Sequence, residues 1–109
     1  MQFDEIQNKA RSLRKLFMQF EQNEYGKTWS APDLMMGLVG DVGDLAKFVQ
    51  GATGTRNVPD VKEKLEHEIS DCLWSILALA DELDVDIEKA FVKTMNELET
   101  VLGEKLERI

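Results

Sequence analysis

The stretch GLVGDVGDLAKF, residues 37–48, has the residue spacing of a helix but carries two aspartates among leucines, valines and glycines. Positions spaced by 4, 3, 4 and 3 residues form one packing seam: Leu34, Leu38, Asp41, Leu45 and Phe48. Such spacing is typical of the buried face of a helix. Asp44 follows Asp41 after one turn, on the same side. The stretch therefore predicts a packed helix with two acids at the centre of its seam.

A second segment repeats this arrangement. Its seam is spaced by 4, 3 and 4 residues: Val61, Leu65, Glu68 and Cys72. Asp71 follows Glu68 by three residues. Both acid pairs lie 11 and 14 residues after an expected helix cap, which is Ser30 for the first pair and Asn57 for the second. In an antiparallel hairpin of the two helices, the pairs would meet at the same height.

The rest of the chain also has helical periodicity. The patterns SAPD and NVPD, which start at Ser30 and Asn57, are typical of helix N-termini, and Gly26 is suited to end a helix. Four helices are expected, over about 3–23, 30–50, 57–83 and from Asp84 or Asp86 to about 102 or beyond. Connections this short favour antiparallel neighbours. The predicted fold is all-α, an antiparallel four-helix bundle that forms homo-oligomers, in one domain over residues 1–109.

Composition narrows the classes of function. The chain of 109 residues is 43% hydrophobic and 31% charged, with a net charge of -8. This charge argues against nucleic acid and anionic membranes as partners. The single cysteine, Cys72, lies in an apolar segment and is expected to be buried. The first residues do not have the pattern of a signal peptide, and no apolar run has the length of a membrane span. A cytoplasmic location is expected.

Four carboxylates in one groove predict a cation site. Desolvation and mutual repulsion disfavour their charged forms unless a counter-charge is present. Mg²⁺ and Mn²⁺ prefer oxygen ligands and suit such a set. A di-iron bundle would need Glu-x-x-His motifs, and the only histidine, His67, has Lys64 three residues before it. The alternative is that these acids are solvated or paired with lysines.

Three stretches together resemble a known family: LVGDVGDLAKF at 38–48, LEHEISDCLWSILALA at 65–80 and VDIEKAF at 85–91. They resemble the MazG-like all-helical nucleotide pyrophosphohydrolases, close to the dCTP pyrophosphatase-like branch, over roughly residues 29–95. The resemblance implies that a nucleoside triphosphate, a dNTP or a modified nucleotide, is hydrolysed to the monophosphate and pyrophosphate with Mg²⁺ or Mn²⁺. It also implies the metal ligands and catalytic residues: Asp41, Asp44, Glu68 and Asp71.

The chain departs from the family pattern in its first acid pair, where aspartates replace the usual glutamates, and at Gly40, where many members have a further glutamate. The usual basic C-terminal motif is also absent. The aspartates of the first pair and the absent basic motif favour an alternative: a catalytically weak or inactive helical oligomer that binds nucleotides or a protein partner. Phosphoribosyl-ATP pyrophosphatase chemistry is a third option. Five residues are candidates for substrate contact, with core packing or solvation as the alternatives: Trp29, Lys47, Trp74, Lys93 and Asn96.

Overall fold

A computed structural model describes residues 2–109, which form four α-helices and no strand within that range. The helices are α1 (Phe3–Tyr25), α2 (Ala31–Ala52), α3 (Val61–Glu82) and α4 (Ile87–Glu107). This confirms the predicted all-α class with four helices. None of these helices is both long and apolar enough to cross a membrane.

The start of α2 and the end of α1 confirm two of the predicted boundary signals. Ser30 and Asp33 form a reciprocal capping box, in which the Asp33 carboxylate accepts a hydrogen bond from the Ser30 backbone N–H at 3.0 Å. That bond lowers the pKa of Asp33. Gly26 ends α1 in the left-handed conformation, with φ 71°. Of the two predicted caps for α4, Asp86 is the one used, and it accepts from the Lys89 N–H at 3.2 Å.

The predicted start of α3 at Asn57 is wrong, because the helix begins at Val61 after the N-cap Asp60. Val58 instead packs against the end of α2 at Gly51, where an added Cβ would lie 2.7 Å from Val58 Cγ2. Asp60 then takes the left-handed conformation, with φ 52°, which a helix cannot include. The matched caps therefore do not exist, although the acids on the two helices still face each other.

The core of the chain lies between α2 and α3, with α1 packed on α3. The predicted α2 seam is confirmed, since Leu34 is buried and Leu38, Leu45 and Phe48 are half-buried. Further buried apolar residues come from α3: Cys72, Leu77, Ala78 and Ala80. Burial of Cys72 was also expected.

Polar and aromatic contacts hold α1 against α3. Arg11 and Asp81 form a two-point ion pair, with nitrogen–oxygen distances of 2.8 and 2.9 Å. The indole N–H of Trp74 donates to the backbone carbonyl of Ala10 at 3.1 Å. The Trp74 ring also lies 5.2 Å from that of Phe17, centre to centre. Trp74 is thus held between α1 and α3.

Helix α4 buries no residue within the chain. The Cα radius of gyration is 17.6 Å, against about 13 Å for a compact domain of this length. Large apolar side chains on α4 are more than half exposed, among them Phe91, Leu102 and Leu106. The apolar side of α1 is also largely uncovered, and Leu16 is 62% exposed. One chain therefore leaves much apolar surface in contact with solvent.

Candidate metal centre

Three carboxylates converge where α2 and α3 face each other at mid-length. Asp41, Asp44 and Glu68 each offer one oxygen atom, and these atoms all lie within 4.8 Å of one another. Glu68 is buried, Asp41 is half-buried and Asp44 is exposed. The group, which we call the carboxylate cluster, is thus anchored in the core on the α3 side and open to solvent on the α2 side.

The cluster holds Glu68 in an environment that disfavours its charge. Burial raises the pKa of Glu68, as do a hydrogen bond with the Asp41 carboxyl group and the negative charges of Asp41, Asp71 and Asp44. The pKa of the Cys72 thiol is raised as well, by burial and then by the charges of nearby acids. A positive charge at the cluster would relieve the repulsion that both shifts report.

The donor set is compatible with a divalent metal ion. All three donors are carboxylate oxygens, which hard cations such as Mg²⁺ and Mn²⁺ prefer to nitrogen or sulfur. The open side leaves room for water or for oxygen atoms of a ligand. Burial of Glu68 among like charges is unfavourable for the protein alone, and a bound cation would turn that cost into binding energy.

Asp71, the fourth predicted ligand, lies outside the group of three. It follows Glu68 by one turn of α3 and is close enough for its charge to raise the pKa of Glu68. Its carboxylate lies 3.1 Å from Nε2 of His67, which is itself highly exposed. A metal-binding role for Asp71 stays a prediction.

Two of the predicted substrate residues lie on α2 or just before it. Lys47 is exposed and lies 3.8 Å from the Asp44 carboxylate. Such an exposed pair contributes little stability and leaves the ammonium group free to exchange partners. Trp29 is 41% exposed and directly precedes the cap of α2.

Side chains from α1 hold the backbone of Trp29 at both of its polar groups. Its N–H donates to the Glu21 carboxylate at 2.7 Å, and its carbonyl accepts from an Arg14 guanidinium nitrogen at 2.9 Å. Glu21 is only 2% exposed. These two hydrogen bonds were not predicted from the sequence. The only sequence feature that points to them is that Arg14 and Glu21, seven residues apart, share a face of α1.

The other predicted substrate residues are not brought to the cluster. Trp74 is held between α1 and α3, with its N–H already bonded to Ala10. Lys93 lines a cavity made by α4 and its cap alone, and Asn96 is exposed on the same helix. Contact of these residues with substrate stays a prediction.

A cleft next to the cluster is lined by a lysine, Lys64, that sequence reasoning did not identify as a site residue. It has a volume of about 410 Å³ and is lined by residues from both helices and the α3 cap: Phe48, Asp60, Glu63, Lys64, His67 and Glu68. Lys64 precedes Glu68 by one helical turn and is half-buried. The spacing of Lys64 and Glu68 could have predicted this position, since residues four apart share a face of a helix.

The helices and the carboxylate cluster together define a class, that of all-helical proteins with an acidic centre between two facing helices. Within that class the chain is similar to dCTP pyrophosphatase 1 of Mus musculus, with 32% identity over 90 residues, 77% of this chain and 53% of the relative. The dCTP pyrophosphatase 1 of Rattus norvegicus is 31% identical over the same shares.

The chain spans about half the length of the curated relatives it matches. No family model matches it. The similarity to these relatives confirms the predicted resemblance to the MazG-like proteins of the dCTP pyrophosphatase-like branch.

Proposed function

We propose that the protein hydrolyses a nucleoside triphosphate, a dNTP or a modified nucleotide, to the monophosphate and pyrophosphate with Mg²⁺ or Mn²⁺. One observation carries the proposal: Asp41, Asp44 and Glu68 converge within 4.8 Å. The chain that carries them is similar to dCTP pyrophosphatase 1 over 77% of its length. The similarity supports a hydrolase acting on nucleotides, and the donor set supports a metal-dependent one.

The residues of the cluster have distinct parts in this proposal. Asp41, Asp44 and Glu68 hold the ion, and Asp71 lies one turn away, where it can accept a proton or bind through water. A bound divalent ion supplies Lewis-acid polarisation of phosphate oxygens and lowers the pKa of a bound water. Burial of Glu68 keeps its carboxylate fixed, while the exposed side at Asp44 leaves a path for substrate.

Trp29 is the candidate contact for the base in this proposal. The grip of Glu21 and Arg14 on its backbone fixes the start of α2, while the indole remains partly exposed. Lys47, one turn from Asp44, is a candidate phosphate contact at the open side of the cluster. Stacking of a base on an aromatic ring is favourable for every base, so Trp29 alone does not select one.

The test is a panel of ordinary and modified nucleoside triphosphates, each incubated with Mg²⁺ or Mn²⁺, with pyrophosphate and phosphate release measured separately. The expected result is pyrophosphate release from at least one substrate, abolished by a chelator. A folded preparation that turns over no substrate would contradict the proposal.

A second candidate function is a nucleotide-binding or protein-interaction module with weak or no catalysis. The shorter side chains at Asp41 and Asp44 favour it, as does the engagement of Asp44 with Lys47 and of Asp71 with His67. Under this alternative, nucleotides would raise the melting temperature in the presence of metal, and no hydrolysis would follow.

We also propose that the chain is a single domain over residues 1–109 and that copies of it associate as a dimer or tetramer. The uncovered apolar side chains of α4 and α1 support association, because patches of this kind usually mark an interface. Lys93 and Asn96 on α4 would then be available to a neighbouring copy. A cytoplasmic location, and the absence of nucleic acid and membrane partners, stay predictions.

A further inference from the structure

Lys64 is a half-buried cation without an ion-pair partner among the described residues. Its cleft is also lined by Asp60 and Glu63, and both are exposed. The four basic side chains that lie within 4 Å of a carboxylate among the described residues are others: Arg11, Arg14, Lys47 and His67. Partial burial without a partner is unfavourable for a lysine. A ligand with negative charge in the cleft would supply that partner.

The charge of the carboxylate cluster favours a further positive side chain near the substrate phosphates. One divalent ion does not neutralise three carboxylates, so the cluster with its ion still repels a triphosphate. Lys47 lies 3.8 Å from Asp44 at the open side, where it can exchange partners and contact one phosphate. Of the other lysines on α2 and α3, Lys62 is exposed and Lys64 lies in the cleft beside Glu68.

The position of the cleft suggests how a bound nucleotide is oriented along α2 and α3. Lys64 precedes Glu68 by one turn of α3, and Phe48 follows Asp44 by one turn of α2. Both lie on the side of the cluster that faces the α2–α3 connection. Trp29 lies before the start of α2, on the opposite side. A nucleotide with its α-phosphate at the cluster and its base towards Trp29 extends its remaining phosphates towards Lys64.

We propose that the cleft lined by Phe48 and Lys64 binds the β- and γ-phosphates, the part released as pyrophosphate, and that Lys64 is the cation that contacts them. This inference rests on the proposed function for the identity of the substrate. The binding of an inorganic polyphosphate anion can be tested without any turnover.

The experiment compares Lys64→Met with the matched control Lys62→Met, which removes an exposed lysine from the same helix. Calorimetry in Mg²⁺ measures the binding of inorganic pyrophosphate and, separately, of dCMP. We expect Lys64→Met to weaken pyrophosphate binding about 10-fold or more, the loss typical of one charge-assisted hydrogen bond. Lys62→Met should change it less than 2-fold, and dCMP binding should be unchanged in both variants.

Three results would overturn the inference. These are no binding of pyrophosphate to the wild type, equal binding by wild type and Lys64→Met, and an equal loss for dCMP and pyrophosphate in Lys64→Met. The proposed function fails separately. If the protein binds pyrophosphate through Lys64 but hydrolyses no triphosphate, the inference about the cleft is supported and the proposed hydrolase function is contradicted.

Discussion

At the scale of single residues, Glu68 is the side chain whose environment is hardest to explain without a cation. It is 7% exposed, and three aspartates act on it electrostatically. A structural role alone would be served better by an uncharged residue of similar shape, since an unpaired buried charge lowers stability. Two predictions follow from its position.

Replacing Glu68 by Gln should abolish turnover without unfolding the protein. The amide keeps the shape of the side chain but loses the negative charge that the ion needs, so we expect activity to fall at least about 100-fold. The metal-free variant should melt at a higher temperature than the wild type, because the repulsion is gone. Glu66→Gln on the exposed face of α3 is the control, and wild-type activity in Glu68→Gln would refute the role.

The raised pKa of Glu68 also predicts a pH dependence for the metal-free protein. At a pH above 4.5, the ordinary pKa of glutamate, Glu68 keeps its proton in the folded state and loses it in the unfolded state. The free energy of unfolding of the wild type therefore falls as the pH rises from 4.5 through the raised pKa of the folded state. The lowered pKa of Asp33 acts below 3.8, outside this window. The stability of Glu68→Gln relative to the wild type should therefore increase as the pH rises above 4.5. Urea unfolding with a chelator measures this, and a pH-independent difference would refute it.

At the scale of helices, the seams were predictable and the start of α3 was not. A period of 3 and 4 residues reports which side chains are buried, and Leu34, Leu38 and Cys72 lie where that period placed them. SAPD and NVPD look alike as local signals. NVPD does not start α3, because Val58 packs against Gly51 of α2. A local sequence pattern cannot report a contact with another helix.

The same distinction between local and distant contacts applies to the candidate site. Asp41, Asp44 and Glu68 were found from spacing, since a hairpin of two regular helices brings facing seams together. The grip of Glu21 on Trp29 was missed because it depends on how α1 docks on the chain. The exposed pair of His67 with Asp71 depends on the choice of rotamers, which spacing does not determine.

The contact of Val58 with Gly51 gives a prediction for the α2–α3 connection. Gly51→Ala should destabilise the protein by about 1–3 kcal/mol, the usual cost of overpacking, because the new Cβ would lie 2.7 Å from Val58 Cγ2. Gly37→Ala is the control, since apart from its chain neighbours and the backbone of α2 no described atom lies within 4 Å of the corresponding Cβ position. It should gain about 1 kcal/mol from helix propensity. Chemical denaturation compares the two, and equal effects would contradict the packing described.

At the scale of the whole molecule, the exposed apolar surface is the dominant feature. With extents of 59 × 40 × 28 Å and no buried residue on α4, the chain has a smaller core than its length allows. The glycines beside Asp41 are consistent with this: apart from their chain neighbours and the backbone of α2, no described atom lies within 4 Å of an added Cβ at Gly40 or Gly43. A neighbouring copy would cover the apolar side chains that one chain leaves exposed.

Association through α4 can be tested with Leu98→Ser/Leu102→Ser. Both leucines are at least half exposed in the single chain, so their loss should leave its fold intact. If they lie in an interface, each contributes about 1.5–3 kcal/mol, and the dissociation constant should rise at least about 10-fold. Sedimentation over a range of concentrations measures it, with Lys105→Ser as control. A monomeric wild type, or unchanged association of the variant, would contradict the proposal.

The most direct test of the metal-dependent pyrophosphohydrolase activity is the identity of the phosphorus products from a nucleoside triphosphate with Mg²⁺. Phosphorus NMR of the reaction distinguishes pyrophosphate plus monophosphate from phosphate plus diphosphate. We predict pyrophosphate and monophosphate in equal amounts with the wild type, and neither with Glu68→Gln or a chelator. Diphosphate as the product, or equal rates for the wild type and Glu68→Gln, would contradict the proposed activity.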